Sequence, residues 1–97
     1  MKIFGFSTTT FYTGLTIGVH GTCIDKRGYD IFSKEAFGIY RKKIEADPRL
    51  AKYYLRLVIK EYEPDKNGIF RIVSTTYRDY GFEDGNIVLM EEQHFDK

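Results

Sequence analysis

Apolar and polar positions alternate with period two in several stretches of this chain. Five stretches, 2–9, 15–24, 53–63, 69–77 and 87–92, read as strands, and the alternation in 15–24, 53–63 and 69–77 predicts one buried face. In the second, Leu15, Ile17 and Val19 fall on one face and Thr16, Gly18 and His20 on the other. Between the second and third stretches the period changes. Ala36, Phe37, Tyr40 and Ile44 recur at helical spacing, while Lys34, Arg41, Lys42 and Lys43 fall away from that stripe. Ser33 suits the N-cap of this helix, and Phe32 with Phe37 has the spacing of a hydrophobic staple, so the helix is predicted from Ser33 to near Ala46.

Turn formers separate these elements. They are Phe11-Tyr12-Thr13-Gly14, Asp25-Lys26-Arg27-Gly28 and the segment Gly81 to Asn86 with Asp84-Gly85 at its tip. Asp47-Pro48 is a helix-start signal and predicts a short helical turn through Lys52. The clearest hairpin joins residues 53–63 to 69–77 through Pro64-Asp65-Lys66-Asn67-Gly68. Pairing Glu63 with Ile69 sets Glu61 opposite Arg71, an attractive pair, so that register is preferred over one that opposes Lys60 and Arg71. Residues 93–97 read as a frayed tail.

The resulting order is β-β-α-β-β-β in a single domain, residues 1–97. This is an α+β fold: a mostly antiparallel five-stranded sheet with one main helix on one face. One helix cannot cover both faces of such a sheet. Leu55, Leu57 and Ile59, with Val73 and Tyr77, are assigned to the helix side. The uncovered face then carries Tyr54, Arg56, Val58, Lys60 and Tyr62, with Phe70, Ile72, Ser74, Thr76 and Arg78 opposite. Tyr54, Arg56, Lys60, Tyr62, Phe70 and Arg78 are the candidate binding residues, because a half-apolar face without cover marks a partner site and Tyr and Arg dominate such sites. The competing readings of this face are a platform for single-stranded nucleic acid and a surface that loops and termini fold over.

Composition narrows the class. The chain has 97 residues, 42% apolar and 30% charged, which suits a folded domain rather than a disordered chain. Eight Tyr and eight Phe with no Trp place several phenols near the surface. One cysteine, Cys23, excludes an intramolecular disulfide, and no apolar stretch approaches the roughly 20 residues of a membrane span, so a cytoplasmic protein is expected. The net charge is +1, but residues 26–60 hold ten basic and four acidic side chains, and residues 61–97 hold four and nine. The two segments either neutralise each other within one chain or meet between two copies.

Motifs for chemistry are weak. His20 and Cys23 are three apart, too few for a structural zinc site, and a Cys23/His94 pair has no support from spacing. Gly14, Gly18 and Gly21 lack the helix start that a phosphate loop needs. Gly38-Ile39-Tyr40 spells half of the GIY-YIG nuclease signature but lies in the helix without a partner motif. Arg78-Asp79-Tyr80-Gly81-Phe82 echoes the aromatic motif of RNA-recognition sheets, in a different element order. Asp79, Glu83 and Asp84 cluster in a turn, and Glu91 and Glu92 point to opposite faces. No catalytic residue, cofactor or metal is predicted. The expected function is a small non-enzymatic binding protein acting through its sheet face on another protein, with a homodimer as a variant. An inhibitor or accessory factor of phage or mobile-element type, or an immunity protein, fits that size class. The alternative is a nucleic-acid- or nucleotide-binding domain using the basic stretch 41–60.

Overall fold

The computed structural model describes residues 2–10, 15, 17–24 and 27–96. The turn expected at residues 11–14, Thr16 in the second alternating stretch, and the first half of the turn expected at 25–28 lie outside them. Among these residues the strands are β1 (Ile3–Thr10), β2 (His20–Cys23), β3 (Leu55–Pro64), β4 (Phe70–Glu83) and β5 (Asn86–Asp96), with one helix α1 (Arg27–Ala46) and a short 3₁₀ turn (Pro48–Lys52). The order β2-β1-β3-β4-β5 with every pairing antiparallel makes this an α+β fold.

Helix α1 begins six residues before the expected Ser33 cap. Ser33 is buried inside the helix, and its hydroxyl donates to the Asp30 carbonyl at 3.2 Å instead of capping. Phe32 is therefore no staple residue outside a cap: it stacks on Phe6 with ring centroids 5.1 Å apart. Burial of Phe32, with Tyr29 edge-on to the same ring, carries the helix back through Arg27 and Gly28, where a turn was expected. Gly28 fits that role because a Cβ there would run into the Cys23 side chain. The apolar stripe itself is as expected, with Ala36, Tyr40 and Ile44 buried and Phe37 edge-on to Tyr80. Asp47 caps the 3₁₀ turn by accepting from the Arg49 amide, as the Asp-Pro signal implies.

Two strands differ in length from the alternation. β2 spans only His20–Cys23, while Leu15, Ile17 and Val19 still pack on the core. β5 runs on to Asp96, so the residues expected to fray are paired with β4. The β4–β5 turn is the two-residue Asp84-Gly85, with φ of 51° and 81° as a tight hairpin requires.

The central hairpin is where the register departs from expectation. Asp65 accepts the amides of Asn67 (2.8 Å) and Ile69 (3.0 Å) on one carboxylate oxygen and Arg71 Nε (2.8 Å) on the other. The loop thereby closes on Lys66-Asn67-Gly68, and Glu63 pairs with Arg71 rather than Ile69. A bulge then intervenes: Tyr62 faces Ile72, but Glu61 faces Ser74, leaving Val73 extra. One extra residue reverses which β4 side chains share a face with which β3 side chains. Beyond the bulge Leu57 pairs with Arg78 and Val58 with Tyr77. Ser74, Thr76 and Arg78 therefore belong to the helix side, and Tyr77 to the open face. The assignments of Leu55 and Leu57 to the core hold, since both are fully buried.

Asp65 yields a test of the loop. The hydrogen bond from Arg71, then those from the backbone amides, lower its pKa from the usual carboxylate value. A depressed folded-state pKa contributes stability above the unfolded value and loses it as pH falls through the folded one. The Asp65 carboxyl is thus expected to titrate below the usual carboxylate range by NMR. Exchange of the Asn67 and Ile69 amides should accelerate in the same window, and Asp65→Asn should abolish that pH dependence.

Candidate functional site

The open face is built row by row from β1, β3, β4 and β5. Ile3, Gly5, Ser7 and Thr9 of β1 face Tyr62, Lys60, Val58 and Arg56 of β3. Next to these lie Ile72, Thr75, Tyr77 and Asp79 of β4, then Phe95, Gln93 and Glu91 of β5. At the upper end Gly81 lies between Tyr54 and Met90, and a Cβ there would meet both side chains at 3.2 Å. At the other end Tyr62 leans over Gly5, whose missing side chain gives it room.

The middle of the face is internally satisfied. Arg56 donates to Asp79 through Nε (2.7 Å) and a terminal nitrogen (3.0 Å), and its guanidinium sits 4.8 Å from the Tyr77 ring centroid. The hydrogen bond to Asp79 raises the Arg56 pKa further above its already high value, against the desolvation that lowers it. Val58 is buried in this row, and Phe95 stands edge-on to Tyr77. Around it apolar side chains are uncovered: Tyr54 is 43% exposed, Met90 41% and Phe95 54%, with Phe70 and Val88 also exposed.

Of the six expected residues, Tyr54, Arg56, Lys60, Tyr62 and Phe70 do share the open face. Arg56 differs in role, since its fork is bound to Asp79. Arg78 is a correction: the Val73 bulge turns it to the helix side, where it lies 5.0 Å over the Tyr29 ring and 3.4 Å from Glu92. Val88, Met90, Tyr77 and Phe95 are open-face residues that the sequence reading left out. The Val73 bulge hid Tyr77, and the extra residue in β5 beside Asp79/Tyr80 with the assumption of a frayed tail hid the others.

The edge strand β5 is apolar on both faces, yet its free edge is guarded. It carries Glu91, Glu92 and Asp96 and a bulge, all of which oppose pairing with another strand. Its end is clamped to β4. The Thr76 hydroxyl is 2.7 Å from His94 Nδ1, and His94 Nε2 is 2.9 Å from Asp96.

Several side chains of the basic stretch 41–60 have partners within the chain. Arg41 donates to the Gly85 carbonyl and lies over Phe82, Arg49 is in a fork with Asp47, Lys52 lies over Tyr53, and Lys60 is on the open face. Part of the charge split closes within the chain through Arg56–Asp79.

The weak motifs separate in space. His20 shares the open side with Ser7 and Cys23 the helix side with Phe4, while His94 is at the opposite edge of the sheet from Cys23. Asp79 is held by Arg56, apart from the exposed Glu83 and Asp84. Among the described residues, no three His, Cys, Asp or Glu side chains are grouped to hold a metal ion, and no helix is long and apolar enough to cross a membrane. No protein-family model, curated protein or solved structure matches this chain.

Proposed function

We propose that this chain is a protein-binding module that docks a partner protein on its open sheet face, as an inhibitor or accessory factor acting by steric occlusion. The observation that carries this reading is the set of exposed apolar side chains on one face: Tyr54, Val88 and Met90 about Gly81, Phe95 against Tyr77, and Phe70 further along β4. Apolar patches of this kind mark interaction sites, and aromatic anchors supply most of the binding energy at such sites. Lys60 and the Arg56–Asp79 pair between the ends orient the partner, because polar groups between anchors fix register more than affinity. The guarded β5 edge favours docking on the face over strand addition. A phage or mobile-element protein that blocks a host defence enzyme, and an immunity protein, both fit this mode.

The test is a pair of double variants, Tyr54→Ser with Met90→Ser and Phe70→Ser with Phe95→Ser, compared with the unaltered chain in cross-linked capture from the native host. Each pair is expected to weaken capture by roughly tenfold or more while far-UV circular dichroism stays unchanged. Capture that survives both pairs overturns the reading. A second copy as the partner is read from sedimentation velocity at low and high salt, where a charge-driven homodimer dissociates as salt rises.

A further inference from the structure

The opposite face of the sheet holds a cavity of about 360 Å³ that the open-face reading does not use. Helix α1 tracks β4 from Arg78, under Tyr29, to Gly85, which receives Arg41. The rows beyond Arg78 run past the start of the helix, and the cavity lies at that step. Phe4, Phe6 and Ile59 give it an apolar floor; Asp30, Thr76 and Arg78 line it with polar groups. Ligand cavities run from roughly 300 to 1,000 Å³, so this one suits a ligand with a single side chain.

The polar groups are of three kinds. Arg78 presents a guanidinium fork with five N–H donors; Nε is directed to Glu92 at 3.4 Å, and the fork also hydrogen-bonds the Tyr29 and Tyr80 hydroxyls. Asp30 presents a carboxylate from the first turn of the helix. Thr76 is the third, and its direction follows from its neighbours. The Asp96 carboxylate is acceptor-only, so His94 Nε2 carries the hydrogen between them at 2.9 Å. In the neutral ring Nδ1 is then an acceptor, and the Thr76 hydroxyl donates to it at 2.7 Å. With that tautomer the hydroxyl oxygen of Thr76, a residue that lines the cavity, retains acceptor capacity.

One cationic fork, one carboxylate and one hydroxyl oxygen around an apolar floor match a particular ligand chemistry. A simple anion meets Asp30, and a simple cation meets Arg78; a zwitterion satisfies both. We propose that this cavity binds a free α-amino acid with an apolar side chain, its carboxylate on Arg78, its ammonium toward Asp30 and Thr76, and its side chain over Phe4, Phe6 and Ile59.

The experiment is titration of the full chain by heteronuclear NMR with four probes: L-leucine, L-phenylalanine, hydrocinnamate, which lacks the ammonium, and phenethylamine, which lacks the carboxylate. Saturable shifts of the Asp30, Thr76 and Arg78 amides are expected with both amino acids. Loss of either charge should weaken binding by roughly tenfold or more. Asp30→Asn, on the exposed rim, and Arg78→Lys, which keeps the charge but loses the fork, should each weaken L-phenylalanine binding by roughly five- to tenfold. The proposal is overturned if no shift occurs at tens of millimolar amino acid, if hydrocinnamate or phenethylamine binds as tightly as L-phenylalanine, or if the two variants bind it unchanged. Either result leaves the open-face reading standing, because the two surfaces are on opposite faces of the sheet.

Discussion

Replacing Tyr40 by alanine is expected to cost about 3–5 kcal/mol, a large share of the stability of so small a fold. Tyr40 is fully buried, stands edge-on to Phe82, and donates its hydroxyl to the Tyr53 carbonyl at 2.7 Å. It therefore ties the helix to both the β4 end and the linker that enters β3. Truncation opens a cavity and orphans a carbonyl. Tyr40→Phe keeps the ring and loses only the hydrogen bond, so about 1 kcal/mol is expected. Urea denaturation of the two variants separates these contributions, and equal losses would show that the ring contributes nothing beyond its hydroxyl.

The same phenol has a pH signature. Burial, and secondarily the neighbouring Tyr54, push its pKa up to about 12. Between the unfolded value near 10 and that folded value, the unfolded state releases a proton that the folded state keeps. Stability should then fall as pH rises through that window. Tyr80 is raised as well, by burial and by Tyr29, and acts in the same direction. The difference between Tyr40→Phe and the unaltered chain isolates the Tyr40 contribution.

Removing the Asp79 carboxylate is the second large effect. Asp79 is buried, and its two oxygens take both hydrogen bonds from Arg56. Breaking a fully buried pair costs roughly 3–5 kcal/mol because the surviving charge is left unpaired. The Arg56 side chain retains 26% exposure, so water recovers part of that loss and about 2–3 kcal/mol is expected for Asp79→Ala. Arg56→Met in the Asp79→Ala background should restore part of the stability, since the unpaired cation is then gone. A denaturation cycle over the four proteins gives the coupling energy. A coupling near zero would mean that the pair is a solvated surface contact, and the internally satisfied middle of the open face would lose its basis.

The pair also illustrates what alternation makes visible. Arg56 and Asp79 carry opposite charge, and the count of basic and acidic residues in the two segments hinted that they meet. Nothing in the sequence placed them opposite each other. β3 reads cleanly, with Leu55, Leu57 and Ile59 at every second position. The stretch Val73-Ser74-Thr75-Thr76 of β4 carries little contrast, so an extra residue there leaves no trace in the pattern. The bulge moved Arg78 off the candidate face and brought Tyr77 onto it. Likewise β5 ends in Glu91-Glu92-Gln93-His94-Phe95-Asp96, whose polarity looks like a tail because its solvent exposure is real; only pairing with β4 makes it a strand.

The sequence by itself determined the element order, the helix stripe, the Asp47-Pro48 turn, the tight turn at Asp84-Gly85 and the existence of a face that one helix leaves uncovered. Those features depend on local chemistry: side-chain period, capping oxygens and residues that accept positive φ. The tertiary structure alone decided where the helix begins, which β4 side chains face which way, and that β5 continues to Asp96. The helix start is set by Phe32 and Tyr29 packing on Phe6, twenty or more residues away in sequence. The register is set by Asp65 gathering two loop amides and by a one-residue bulge. A period-two pattern is blind to both, because it records which residues alternate and not which strand they alternate against.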